Sequence, residues 1–125
     1  MRRSSALAAA AFAASLAGTA HAAPAGDAAK GEDAFEDRCT QCHTIGGMAQ
    51  GPNLAGVVGR KAGTSPGFPY TAALKASGLT WTPANLERFL AGPQALVPGT
   101  AMTVTVPSAA ERANIVAYLA TLKGH

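Results

Sequence analysis

A chain of 125 residues, 48% hydrophobic and 14% charged, has the length and composition of one small globular domain and excludes an intrinsically disordered polymer. Its 14 glycines and 8 prolines exclude a bundle of long uninterrupted helices, because both residue types punctuate regular structure. A formal charge of +3 falls short of the concentrated basic patch that a nucleic-acid binder carries.

In chain order, Arg2 and Arg3 come first, ahead of an apolar stretch from Ala6 to Ala17 that ends in Ala20-His21-Ala22. A positive start, a short apolar core and small residues at the cleavage positions predict a secretory signal peptide over residues 1–22. The stretch is too short to span a bilayer, so no stable membrane insertion is expected. Residues 23–125 then form the exported, periplasmic domain. They carry eight basic against seven acidic side chains, a net charge of +1. A domain of about 100 residues buries only roughly 60–70% of its unfolded surface. Something other than side chains is expected to help fill its middle.

The spacing predicts a helix from Asp27 to Arg38, with Phe35 on a face shared with Gly31. Directly after it stand both cysteines of the chain, in Cys39-Thr40-Gln41-Cys42-His43. Three chemistries compete for this motif. A catalytic disulfide needs a strand-then-helix setting, and the chain shows no such alternation. A closed zinc site needs four ligands, yet residues 23–125 offer one other histidine, His125, and no further cysteine. Haem attachment needs two thiols for the two vinyl groups and an adjacent imidazole for the iron, and this chain supplies both. Export favours the same reading, since the thioethers form outside the cytoplasm on an unfolded chain. A buried macrocycle would also supply the missing core.

Residues 44–68 hold Gly46-Gly47, Gly51-Pro52, Gly56, Gly59, Gly63 and Pro66-Gly67, which predicts loop. A short helix follows, from about Thr71 to Ser77, ended by Gly78. Thr82 with Pro83 opens another helix through Leu86, Phe89 and Leu90, stopping at Gly92-Pro93. Pro93 to Val106 reads as a loop around Met102. Ser108-Ala109-Ala110-Glu111 predicts a capping box, and Ile115, Leu119 and Leu122 stripe the last helix. The fold class is all-α, in one domain.

With these motifs in order, the chain resembles the class I cytochromes c, the mitochondrial type and its soluble bacterial periplasmic relatives. The likeness runs from about Gly26 to Leu122. It rests on Cys39-Thr40-Gln41-Cys42-His43, Gly51-Pro52-Asn53-Leu54, Gly67-Phe68-Pro69-Tyr70, Trp81, Pro98-Gly99-Thr100-Ala101-Met102, and Glu111-Arg112 before Tyr118-Leu119. The resemblance implies a small fold wrapped around one haem c, joined through Cys39 and Cys42, with its iron between His43 and Met102. It implies that the Pro52 carbonyl holds the imidazole's free N–H, and that Tyr70, Thr71, Trp81 and Arg60 hold the haem propionates. Met48 is expected to be a surface or gap-filling residue. Gly31, Phe35 and Tyr118 are expected at a crossing of the first and last helices.

The implied function is a monomeric, non-enzymatic carrier of single electrons between respiratory or dehydrogenase partners. The alternatives are a haem enzyme or gas-binding sensor with an open distal side, and a dedicated haem subunit of one periplasmic dehydrogenase. The chain departs from the mitochondrial pattern inside the pocket, with Phe89 for a tyrosine and Leu74 for an asparagine, and around the methionine loop. Where that type has lysines around the methionine loop, this chain has Gln94, Ala95 and Ala101.

Overall fold

The computed structural model describes residues 25–124 and the isolated positions 10, 11, 13 and 18. The signal peptide expected over residues 1–22 otherwise lies outside the described residues, as does His125. Among the described residues five helices follow one another: α1 (Ala28–Arg38), α2 (Ala72–Ala76), α3 (Pro83–Ala91), α4 (Pro93–Leu96) and α5 (Ala109–Thr121). No strand occurs among the described residues. One isolated antiparallel bridge joins Lys61 to Thr80.

Each helix start has a local cause. The Asp27 carboxylate accepts from the backbone N–H of Ala29 and Lys30, at 3.0 and 3.1 Å, so Asp27 caps α1 from outside rather than opening it. Thr71 and Thr82 do the same for α2 and α3, accepting from Leu74 and Asn85 at 3.3 and 3.2 Å. Such caps satisfy backbone donors that the first turn leaves without partners.

Two details differ from the sequence expectation. Pro93 to Leu96 forms a short helix, α4, where a loop is expected. Pro93 sits at its first position, where a fixed φ suits the helix and a missing N–H costs nothing. The capping box of α5 is only half formed. The Ser108 hydroxyl accepts from the Glu111 N–H at 3.2 Å, but the Glu111 carboxylate turns away to accept from Arg38 Nε at 2.8 Å. A charged donor is the stronger partner for a carboxylate than a backbone amide.

The main contact between helices is α1 across α5. A methyl group on Gly31 would overlap the Asn114 carbonyl, and one on Gly26 the Ala113 carbonyl. The Asp27 N–H donates to Asn114 Oδ1 at 2.8 Å beside the crossing. The Phe35 and Tyr118 rings meet there with centroids 5.4 Å apart, tilted by 56°. Phe35, Ile115, Val116 and Leu119 from α1 and α5 join Leu86, Phe89 and Leu90 of α3 and Trp81 in one hydrophobic core. α3 packs on α5, and the extended segment after α4 returns to the core at Val106, which is 1% exposed.

Gly31→Ala is therefore expected to destabilise the holoprotein by at least about 2 kcal/mol, in the upper range for overpacking. The check is the urea unfolding midpoint; an unchanged midpoint would show that the two helices can separate at no cost.

Candidate functional site

The cysteine–histidine motif lies on the turn that ends α1. The Cys39 N–H donates to the Phe35 carbonyl at 2.8 Å and closes the helix. The Cys39 carbonyl then accepts from both Cys42 N–H and His43 N–H, at 3.1 and 2.8 Å, which folds the motif into a single turn. Neither cysteine is in a disulfide. Burial pushes the Cys39 thiol up to about 11, while the neighbouring Arg38 pulls it the other way. A redox or zinc-binding cysteine works as a thiolate and needs the opposite shift. A thioether carries no charge to desolvate, so a half-buried Cys39 suits covalent haem attachment. Among the described residues, no three His, Cys, Asp or Glu side chains are placed to share a metal ion.

His43 is held from two sides. Its Nδ1 lies 2.9 Å from the Pro52 carbonyl oxygen, which can only accept, so Nδ1 carries the proton and Nε2 presents its lone pair. The Gly51 N–H donates to the Cys42 carbonyl at 2.7 Å and brings that backbone against the ring. A methyl group on Gly51 would overlap Cε1, Nδ1 and Nε2 of the imidazole. Gly51 is thus a functional position that the motif contained but whose reason is visible only in three dimensions.

Met102 is half-buried and packs against the hydrophobic core, as do Cys39, Leu54 and Leu74. Its loop is pinned at both ends. Val97 is buried and donates its N–H to the Pro93 carbonyl at 2.8 Å. Val106 donates to the Leu90 carbonyl at 2.8 Å, and Arg112 Nη1 bonds the Val106 and Pro107 carbonyls, each at 2.8 Å. Met48, by contrast, is 56% exposed and lies over Gly67, in keeping with a surface role.

The four polar residues singled out in the sequence have these partners. Tyr70 Oη accepts from the Ser65 N–H at 3.1 Å, which leaves its own proton to give, and its ring meets Phe68 edge-on at 4.9 Å. Trp81 is 6% exposed and its ring lies 4.8 Å from that of Phe89. Arg60 and Trp81 are joined through the backbone, the Trp81 N–H donating to the Arg60 carbonyl at 2.8 Å. The Arg60 guanidinium donates to the Ala55 and Asn53 carbonyls at 3.1 and 2.8 Å, using part of its five N–H groups. Thr71 is occupied as the cap of α2. Asn53, which sequence reading passed over, accepts from Gly46 and Ala55, both at 2.9 Å, and so ties the loop after His43 to Pro52.

Comparison with known proteins agrees with this geometry. The cytochrome c family pattern matches residues 28–123. A cytochrome c2 of Rhodomicrobium vannielii is 46% identical over 115 residues, covering 89% of this chain and 91% of that protein. A cytochrome c-type cyt cy of Rhodobacter capsulatus is 50% identical over 99 residues, or 78% of this chain; the chain spans about half the length of that relative. Among solved structures, cytochrome cH from Methylobacterium extorquens superposes with a TM-score of 0.74 at 46% identity, covering 77% of this chain and 99% of that one.

Gly51→Ala is expected to push the imidazole off the Pro52 carbonyl. In NMR spectra of the reduced holoprotein, the His43 Nδ1–H resonance should shift and exchange faster with solvent. A resonance identical to that of the unsubstituted protein would show that the ring has room to spare.

Proposed function

The chain belongs to the cytochrome c family and carries its haem c on Cys39 and Cys42, and from that premise we propose that it is a periplasmic electron carrier in which His43 and Met102 would hold the iron. The observation that carries this reading is Met102: of the two methionines among residues 25–124, it is the one whose side chain packs inward, on a loop pinned at both ends. When bound, the haem supplies a one-electron ferric–ferrous couple.

The rest is the work of the chain. The Pro52 carbonyl fixes the tautomer and orientation of His43. Met102 would hold the iron opposite His43, which would leave no free position for oxygen chemistry. Thioether ligation and burial both favour the reduced state. Tyr70, Trp81, Arg60 and Thr71 are assigned to the propionates, since each retains an O–H or N–H to donate and a buried carboxylate without donors would be costly. Delivery to the periplasm rests on the signal peptide read over residues 1–22, and the partners are respiratory or dehydrogenase redox proteins, met by a monomer. No helix among the described residues is long and apolar enough to cross a membrane.

The closed distal side separates a carrier from a haem enzyme or gas sensor. The ferric holoprotein is expected to show the weak far-red band of an iron–thioether bond, and the ferrous protein to bind carbon monoxide slowly. Met102→Ala should remove the band and admit carbon monoxide at once. A wild-type protein without the band, binding carbon monoxide immediately, would sink the carrier reading.

Electrostatics add a second expectation. Arg38 keeps one of the places where the mitochondrial type has a docking lysine, and it is already paired with Glu111 at 2.8 Å. With residues 23–125 near neutrality, the second-order rate with the natural partner should change by less than about threefold between low and physiological salt. A steep fall across that range would show that charge steering dominates after all.

A further inference from the structure

Resting on the assignment of Met102 as ligand, we propose that Gln94 is a positioning residue that latches the methionine loop shut. The loop from Val97 to Val106 is anchored at its ends, but its middle is exposed: Ala101, Thr103, Val104 and Thr105 all face solvent. Gln94 projects from α4 back across this gap. Its single side-chain nitrogen, Nε2, donates to the Thr100 carbonyl and also reaches the carbonyl of Met102 itself, at 3.4 Å. Among the described residues, no other hydrogen bond reaches residues 101–105. Besides the packing of Met102 on the core, the segment that carries the sulfur is held by hydrogen bonds from one amide.

The chemistry of the residue suits the task. A primary amide offers two N–H donors on one nitrogen, so it can serve two neighbouring carbonyls at once. It is neutral, and lying along the loop costs it far less hydration than an ammonium would lose. α4 supplies the rigid base: Pro93 is buried, and the Leu96 N–H donates to the Gly92 carbonyl at 3.0 Å, so the Gln94 backbone is fixed. Opening the loop then requires breaking the amide contacts before the sulfur can leave. The fraction of open loop sets the apparent affinity of any external ligand that competes with Met102.

The test uses the ferric holoprotein with imidazole as the competing probe. Gln94→Ala is expected to raise the apparent imidazole affinity about fivefold, the loss of roughly one hydrogen bond. Gln94→Glu keeps the size but turns an acceptor toward two carbonyl oxygens, and should raise it further. In both variants the far-red band should fade at lower temperature than in the wild type, while the global unfolding midpoint by circular dichroism stays in place. A residue that merely stabilised the fold would move both transitions together, and that result, or unchanged imidazole binding, would overturn the latch. Should Gln94→Glu give no holoprotein, Gln94→Ala alone decides. Met102→Ala separates the two layers: if it retains the wild-type band, Met102 is not the ligand and the latch falls with it. If it loses the band while the Gln94 variants bind imidazole like the wild type, only the latch fails.

Discussion

The approach of α1 to α5 is the constraint on which the rest of the structure depends. Two glycines, Gly26 and Gly31, let backbone lie against the Ala113 and Asn114 carbonyls, at positions where any side chain would collide. That crossing fixes the axis of α1, and α1 ends directly at Cys39. The attachment turn and His43 are thus aimed by packing far from them in the sequence. The Arg38–Glu111 pair bridges the same two helices at the site end. Its worth is small, because Arg38 is exposed and water screens such a pair. Glycine packing sets the geometry, and the ion pair only decorates it.

A second feature follows from the thinness of the core. The fully buried residues form one small cluster, from Phe35 and Ile115 to Trp81 and Phe89, with a fringe of half-buried apolar groups that includes Leu54, Leu74, Leu79 and Met102. Packed interiors approach the density of organic crystals, so half-covered leucines beside a half-covered thioether mark a face built for an apolar partner. The haem supplies that partner. Burial of Cys39 belongs to the same design: what would penalise a thiolate is harmless to a thioether.

What could be read from the sequence, and what could not, divides by range. Asp27, Thr71, Thr82 and Ser108 cap helices with donors two or three residues away, and local chemistry of that kind is written in the sequence. So is the motif turn, whose hydrogen bonds stay within five residues. The Gly31 crossing was legible for another reason: a glycine on the same face as an aromatic residue asks for a close neighbour. The competition for Glu111 was not legible, since the winning donor, Arg38, lies 73 residues away. Nor was the use of Arg60 on the Asn53 and Ala55 carbonyls, which depends on how a glycine-rich loop folds back. α4 was missed because Gly92-Pro93 reads equally well as the end of one helix and the start of the next. The backbone break at Gly92, with φ near −172°, allows both.

Gln94 joins these levels. In the mitochondrial type the corresponding place belongs to a lysine, whose hydrated charge points outward and serves encounter with acidic partners. An amide cannot steer at long range, because it has no net charge. It can, however, turn inward and bond two carbonyls without abandoning a hydration shell of that strength. Exchanging the one for the other therefore moves a side chain from the docking surface to the loop beneath it. On the proposals above, this one residue would contribute both to weak steering and to a held methionine loop. With residues 23–125 near neutrality, the proposed recognition would rest on shape and apolar contact, around exposed groups such as Ala95, Ala101 and Val104. Contact of that kind demands a loop that keeps its form while the partner docks, and a latched loop meets that demand where a loop held only at its ends would not.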